Sequence, residues 1–261
     1  MIQVNNLIKK YKEITAVDDI SFEVKKGDIF AFLGPNGAGK TTTIKMLTTL
    51  LSPTGGQILV NGHDPKTEQD AVRHSFGIVF QDQSLDDELT ARENMEFHGV
   101  LYRVPKAIRR QRIEELLKIV ELWDRKDDLV KHFSGGMKRR LEIARGLIHH
   151  PLILFLDEPT LGLDPQTRNH IWSHIKNLNE KESITVFFTT HYIEEAERVA
   201  NQVAIIDHGK IITQGTPQEL KTKTGKASLE DAFLALTGNI IRTQEPDGME
   251  MMRLNRRQWH K

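Results

Sequence analysis

The string Gly34-Pro35-Asn36-Gly37-Ala38-Gly39-Lys40-Thr41 constrains this chain more than any other stretch of it. It has the form G-x-x-x-x-G-K-[ST], which cradles phosphate groups when it lies between a strand and a helix. Here it follows the apolar run Ile29-Phe30-Ala31-Phe32-Leu33 and precedes Thr42 to Leu51, where Ile44, Leu47 and Leu51 recur at helical spacing. Glycines let successive N–H groups turn inward, and the helix that follows adds its positive end. The loop from Gly34 to Gly39, with Thr42, is therefore expected to hold the phosphates of a nucleotide, Lys40 to neutralise the β and γ phosphates, and Thr41 to ligate Mg²⁺. A dinucleotide-binding turn fits poorly, because its third glycine is missing and it has no use for Lys40-Thr41.

Around this loop the pattern is that of an α/β chain. Residues 1 to about 33 alternate apolar and polar positions, as at Ile20, Phe22 and Val24, and read as a hairpin feeding a buried strand. Gln57 to Val60 reads as a further strand closed by the turn dipeptide Asn61-Gly62. From about Leu85 to His150 the chain becomes charged amphipathic helix, with Ile113, Leu116, Leu117 and Val120 on one face. Buried strands return at Ile153 to Leu156, Ile184 to Thr189 and Val203 to Ile206, so one mainly parallel sheet is expected, with the helical segment inserted in it. A short helix over Leu229 to Leu236 leads into residues 240 to 261, which carry five Lys or Arg against three acids.

The strand Leu152-Ile153-Leu154-Phe155-Leu156 ends in Asp157-Glu158, which delivers two carboxylates to the C-terminal edge where ligands bind in open α/β sheets. Alone, such a pair is an ordinary strand end. Beside a phosphate loop it reads as an Mg²⁺ carboxylate, Asp157, followed by Glu158, a group to orient or deprotonate an attacking water. Composition narrows the remaining classes. Lys plus Arg and Asp plus Glu both total 36, so no global field favours nucleic acid, and the absence of cysteine removes thiol chemistry. The N-terminus lacks the pattern of a secretory signal, and no apolar run approaches the roughly 20 residues of a membrane-spanning helix. A soluble, non-secreted chain is the expectation.

Further strings give the chain a family resemblance. Ser134-Gly135-Gly136-Met137-Lys138, just ahead of a helix carrying Leu141, Ala144, Leu147 and Ile148, is similar to the LSGGQ signature of ABC ATPases, with Phe133 in place of Leu and Met137 in place of Gln. Gln81, after Gly77-Ile78-Val79-Phe80, matches the family's Q-loop; His191 matches its switch histidine; Leu161-Gly162-Leu163-Asp164 resembles its D-loop; and Tyr11 is placed like its adenine-stacking aromatic. Such stacking reads the base weakly, leaving ATP against GTP open. The resemblance spans about residues 1 to 236 and implies a P-loop NTPase core with a mainly parallel sheet, an antiparallel β subdomain and a helical signature-motif insert. It implies an ATPase domain over 1–225 with the insert at about 85–150, and a C-terminal helix and basic tail over 226–261.

The resemblance further implies that ATP and Mg²⁺ are used, with Lys40, Gln81, Glu158 and His191 catalytic, and Thr41, Gln81 and Asp157 around the metal. Tyr11, Gly34 to Thr42, Ser134, Gly135, Gly136 and Asp164 are the implied nucleotide contacts, with the signature residues reaching the nucleotide of a second copy. A homodimer on the cytoplasmic face of the membrane, driving a separate multi-span permease, follows. The runs SGGMKRRLEIARGLIHHP and DEPTLGLDP and the segment Ser228 to Phe233 look most like the bacterial drug-resistance and export branch, with a drug, lipid or polysaccharide-like cargo. The acids Asp82, Asp86, Asp87 and Glu88 are expected to face the permease. Two rivals stay open: a nucleic-acid-associated ATPase of the same family, disfavoured by neutral charge and a single cassette, and a regulatory module that docks on a membrane complex without transport.

Overall fold

The computed structural model describes residues 1–238. The basic tail expected at 240 to 261 lies outside the described residues. In chain order, β1 (Ile2–Tyr11) and β2 (Ile14–Val24) form the hairpin, and β3 (Ile29–Leu33) leads through the glycine-rich loop into α1 (Lys40–Leu47). Then come β4 (Gly55–Val60), α2 (Gln69–Ser75) and β5 (Phe76–Val79). The helical insert is α3 (Ala91–Leu101), α4 (Lys106–Ile119) and α5 (Gly135–Gly146). The core resumes with β6 (Ile153–Asp157), α6 (Pro165–Glu182), β7 (Thr185–Thr190), α7 (Ile193–Val199), β8 (Gln202–Asp207) and β9 (Lys210–Gly215), and closes with α8 (Pro217–Thr224) and α9 (Leu229–Thr237).

The main sheet has the order β5-β6-β7-β3-β8-β9, parallel throughout except for the edge strand β9. Its central strands read as unbroken apolar runs because helices or a second sheet cover both faces, and every residue of β3 and β6 is buried. Successive side chains point to opposite faces, so Phe187 joins Phe22, Phe30, Phe32 and Phe155 on one side, whereas Phe188 packs on Trp172 of α6 on the other. The first face is covered by α1 and by a three-stranded antiparallel sheet, β2-β1-β4, and the second by the insert and the later helices.

Several boundaries differ from the sequence expectation for identifiable reasons. The helix expected over Thr42 to Leu51 runs from Lys40 to Leu47, since Gly39 at φ 107 supplies its start and Thr49 at φ 64 its end. Leu51 packs against the core from beyond the helix. The apolar alternation of β1 slips between Val4 and Leu7, where Asn6 takes φ 48 and a register shift keeps Leu7 pointing inward. Four of these elements had no expectation: α2, β5, β9 and α8. Among the described residues, no helix is long and apolar enough to cross a membrane.

Candidate functional site

The parallel topology brings the C-terminal ends of β3, β6 and β7 side by side, and each end carries one part of the site. Gly39, between β3 and α1, holds φ 107 with the Ala16 carbonyl of β2 only 2.6 Å from where a β-carbon would stand, so no other residue fits. Lys40 opens α1 and is buried, its Nζ donating to the carbonyls of Gly34 (2.8 Å) and Pro35 (3.2 Å). Asp157 ends β6, and its Oδ1 accepts from Thr189 Oγ1 (2.6 Å) and Thr41 Oγ1 (3.5 Å). Glu158 leaves the strand at φ 48, anchored by its N–H on the backbone and side-chain oxygens of Thr189. That turn places its carboxylate between Lys40 Nζ, 3.7 Å away, and His191 Nδ1, 2.8 Å away just past β7.

The electrostatics of this cluster are uneven. Burial pushes the Lys40 ammonium below its ordinary pKa, although Glu158 and Asp157 pull the other way. Burial likewise raises Asp157, against the hydrogen bonds from Thr189 and Thr41. At Glu158 burial again favours the neutral acid, but the His191 hydrogen bond and the Lys40 charge together outweigh it and hold the group below the usual glutamate range. The pair Lys40–Glu158 is thus lopsided: desolvation wins at the lysine and loses at the carboxylate. The result is a charged carboxylate at neutral pH beside a cation held in a dry loop.

Gln81 lies two residues past β5, whose Val79 is in register with Leu156, and so at the same sheet edge. Sequence reading missed what holds it there. Arg139 of α5 donates to the carbonyls of Phe80 (2.6 Å) and Gln81 (3.0 Å) and pairs with Glu142 at 3.0 Å; Glu142, 1% exposed, accepts from the Ser84 N–H at 2.8 Å. Thr189 and Glu195 likewise carry no sequence signal. Glu195 Oε2, buried, takes hydrogen bonds from Thr160 (2.8 Å) and Thr190 (3.3 Å) and so ties the loop after Glu158 to the strand that precedes His191.

Ser134 caps α5, accepting from the Met137 N–H at 3.2 Å, and Ser134 and Gly135 face outward. A β-carbon on Gly136 would stand 2.5 Å from Thr167 Cγ2, so the tip lies tight against α6. Among the described residues, no hydrogen bond joins this tip to the loop from Gly34 to Thr42 of the same chain. Asp164 caps α6, its carboxylate bound to the Thr167 N–H and hydroxyl. Tyr11, 45% exposed with the Lys9 ammonium over its ring, sits at the hairpin end opposite Ile14, on the strand whose Ala16 meets Gly39. The acids after Gln81 are partly engaged within the chain: Asp87 pairs with Lys138 (2.7 Å) and Glu88 with Lys131 (3.0 Å). Beyond these exposed acids, α3 shows apolar side chains outward, since Phe97, Val100 and Leu101 are all more than half exposed.

Residues 17–161 match the family model described as ABC transporter. The chain is 45% identical over 224 residues to the daunorubicin/doxorubicin resistance ATP-binding protein of Streptomyces peucetius, an overlap of 86% of this chain and 68% of the relative. It is 42% identical over 222 residues to the Nod factor export ATP-binding protein I of Ralstonia nicotianae, 85% of this chain and 69% of that one. A solved dimer of an ATP-binding cassette in a post-hydrolysis state, bound to ADP and Pi, superimposes with TM-score 0.74 at 30% identity, covering 83% of this chain and 98% of the other. With the phosphate loop, the paired carboxylates and the capped Ser-Gly-Gly tip in these positions, the chain belongs to the ABC transporter family as an ATP-binding subunit whose ATP hydrolysis is coupled to transport.

Proposed function

We propose that two copies of this chain close head to tail around two Mg²⁺–ATP, each nucleotide held between the Lys40 loop of one copy and the Ser134 tip of the other. The observation that carries this reading is the separation within one chain: Lys40, Asp157, Glu158 and His191 converge on one edge, while the exposed tip of α5 has no hydrogen bond to them. A helix N-terminus with exposed N–H groups is an anion site that this chain leaves for a partner. The likeness to a cassette that is dimeric with ADP and Pi bound supports a dimer.

Thr41 Oγ1 and Asp157 Oδ1, 3.5 Å apart, are hard oxygen donors suited to Mg²⁺, with Gln81 alongside. The metal would neutralise charge on the phosphates. Lys40 exchanges the Gly34 and Pro35 carbonyls for phosphate oxygens, and Tyr11 stacks on the base. Glu158, ionised and steered by His191, orients the attacking water and takes its proton. Closing and opening of the dimer then shifts a separate multi-span subunit between its states at the membrane. We place the docking face on Phe97, Val100 and Leu101 of α3 rather than on the acidic run, because Asp87 and Glu88 already pair within the chain. The relatives named for drug resistance and for Nod factor export support an exporter, with a cargo of drug, lipid or polysaccharide-like character recognised by the membrane subunit.

Mixing Lys40→Ala with Ser134→Arg subunits tests the shared site. Each variant alone should be inactive, and the mixture should recover ATPase activity through one intact composite site per mixed dimer. A mixture as inactive as its parts, with mixed dimers shown to form, would refute sharing.

A further inference from the structure

Away from the nucleotide site, Glu121, His170 and His174 meet where the end of α4 approaches the first turns of α6. Glu121 follows α4 at φ 56, which turns its carboxylate toward the two histidines; they stand four residues apart, on one face of α6. Glu121 Oε2 is 3.8 Å from His170 Nδ1 and 4.0 Å from His174 Nε2, and the three donor atoms all lie within 4.8 Å of one another.

His174 supplies the observation that separates this from a chance surface group. Its side chain is 10% exposed, and its Nε2, fully enclosed, has no hydrogen-bond partner among the described residues. A buried ring nitrogen left this way is costly unless something binds it. The ring also interacts with the Ile119 backbone. With Nε2 unpartnered, that contact falls to Nδ1, and an outer partner of this kind is what a metal-bound imidazole ordinarily carries.

We propose that Glu121, His170 and His174 form a transition-metal site, suited to Zn²⁺, that ties the helical insert to the core helix α6. Two imidazoles and one carboxylate at ligand distances of about 2.0–2.2 Å, with water in the fourth position, make a tetrahedral zinc set. Reaching it requires the exposed Glu121 and His170 side chains to close by about an ångström, which rotamer changes at exposed side chains supply. Arg140 Nη1 lies 3.3 Å from Glu121 Oε2 and competes for that oxygen; its bond to the Val120 carbonyl, 2.9 Å, can remain when the metal enters. The middle of α4 is already held to the C-terminal end of α6 by the pair Arg112–Glu182. The metal would add a second tie past the end of α4, fixing the insert against the core.

The test is calorimetric titration of the chelator-stripped full chain with Zn²⁺ alone, without nucleotide, beside the Co²⁺ absorption spectrum. The chain has 11 histidines, so the readout is the difference between wild type and variants. His170→Ala, at an exposed position, should weaken one site by about tenfold or more and remove its tetrahedral Co²⁺ bands. Arg140→Gln should tighten that site severalfold. Zinc should raise the melting temperature of the wild type and not of His170→Ala. Indistinguishable zinc isotherms and Co²⁺ spectra for the wild type and His170→Ala would overturn the proposal.

Discussion

Two buried charge pairs flank the same sheet edge, and they are built differently. At the phosphate loop, Lys40 and Glu158 stand 3.7 Å apart, and Glu158's closer partner, His191, is 38% exposed. On α5, Arg139 and Glu142 touch at 3.0 Å, and both also grip the segment around Gln81 through backbone bonds. The first pair can change partners when a phosphate arrives; the second is committed to holding a loop in place. Buried charges that must do chemistry are paired loosely, and buried charges that must position are satisfied fully.

That contrast can be broken first at the loose pair. Glu158→Gln keeps shape and hydrogen bonding but removes the proton acceptor, and should lower steady-state turnover by about 10²- to 10⁴-fold while calorimetry still shows ATP binding. Turnover within a factor of two of wild type would remove Glu158 from the chemistry. At the committed pair, Arg139→Ala strands Glu142 at 1% exposure and should cost about 3–5 kcal/mol in denaturant unfolding. The double change Arg139→Met with Glu142→Leu should restore most of that loss. A single variant as stable as the double one would mean the pair is not a unit.

Much of this was legible in the sequence, and the misses share a cause. Strands β3, β6 and β7 could be read because burial on both faces demands unbroken apolar runs, and the convergence of Asp157, Glu158 and His191 followed from their places at parallel strand ends. Helix α8 could have been read too, since Thr216-Pro217-Gln218-Glu219 is a capping box with proline in its first turn. By contrast α2 buries only Val72 and Ser75, and β9, at the sheet edge, buries only Thr213 and leaves Ile212 exposed, so neither leaves a periodic signal. Arg139 and Glu142 were invisible for a deeper reason: their i, i+3 spacing is that of any solvated helix pair, and only the packing of α5 against the Gln81 segment buries them. The same holds for Thr189, which looks like one more strand residue until β6 is laid beside β7.

The smallest effect expected concerns stability. Asp157 has a folded-state pKa raised by burial, so it favours folding below its unfolded pKa and loses that contribution as pH rises through the folded value. Above that value the buried carboxylate therefore weakens the nucleotide-free protein. Asp157→Asn should raise the nucleotide-free melting temperature at pH 7, by about 2–4 °C for each kcal/mol recovered, and the gap should narrow in acid as the wild type becomes protonated. Glu158 has the opposite sign: its pKa is depressed, so its contribution is present above the unfolded value and lost as pH falls through the folded one. A lower melting temperature for Asp157→Asn across the whole pH range would show that its hydrogen bonds to Thr189 and Thr41 outweigh the buried charge.

The most direct test of nucleotides shared between copies is sedimentation of Glu158→Gln with and without Mg²⁺–ATP, with Ser134→Arg added in a parallel sample. Hydrolysis-blocked protein should sediment as a dimer with nucleotide and as a monomer without it, and the added Ser134→Arg should abolish the dimer while leaving ATP bound at the Lys40 loop. A nucleotide-saturated Glu158→Gln protein that stays monomeric at every concentration, or a dimer indifferent to Ser134→Arg, would contradict the account.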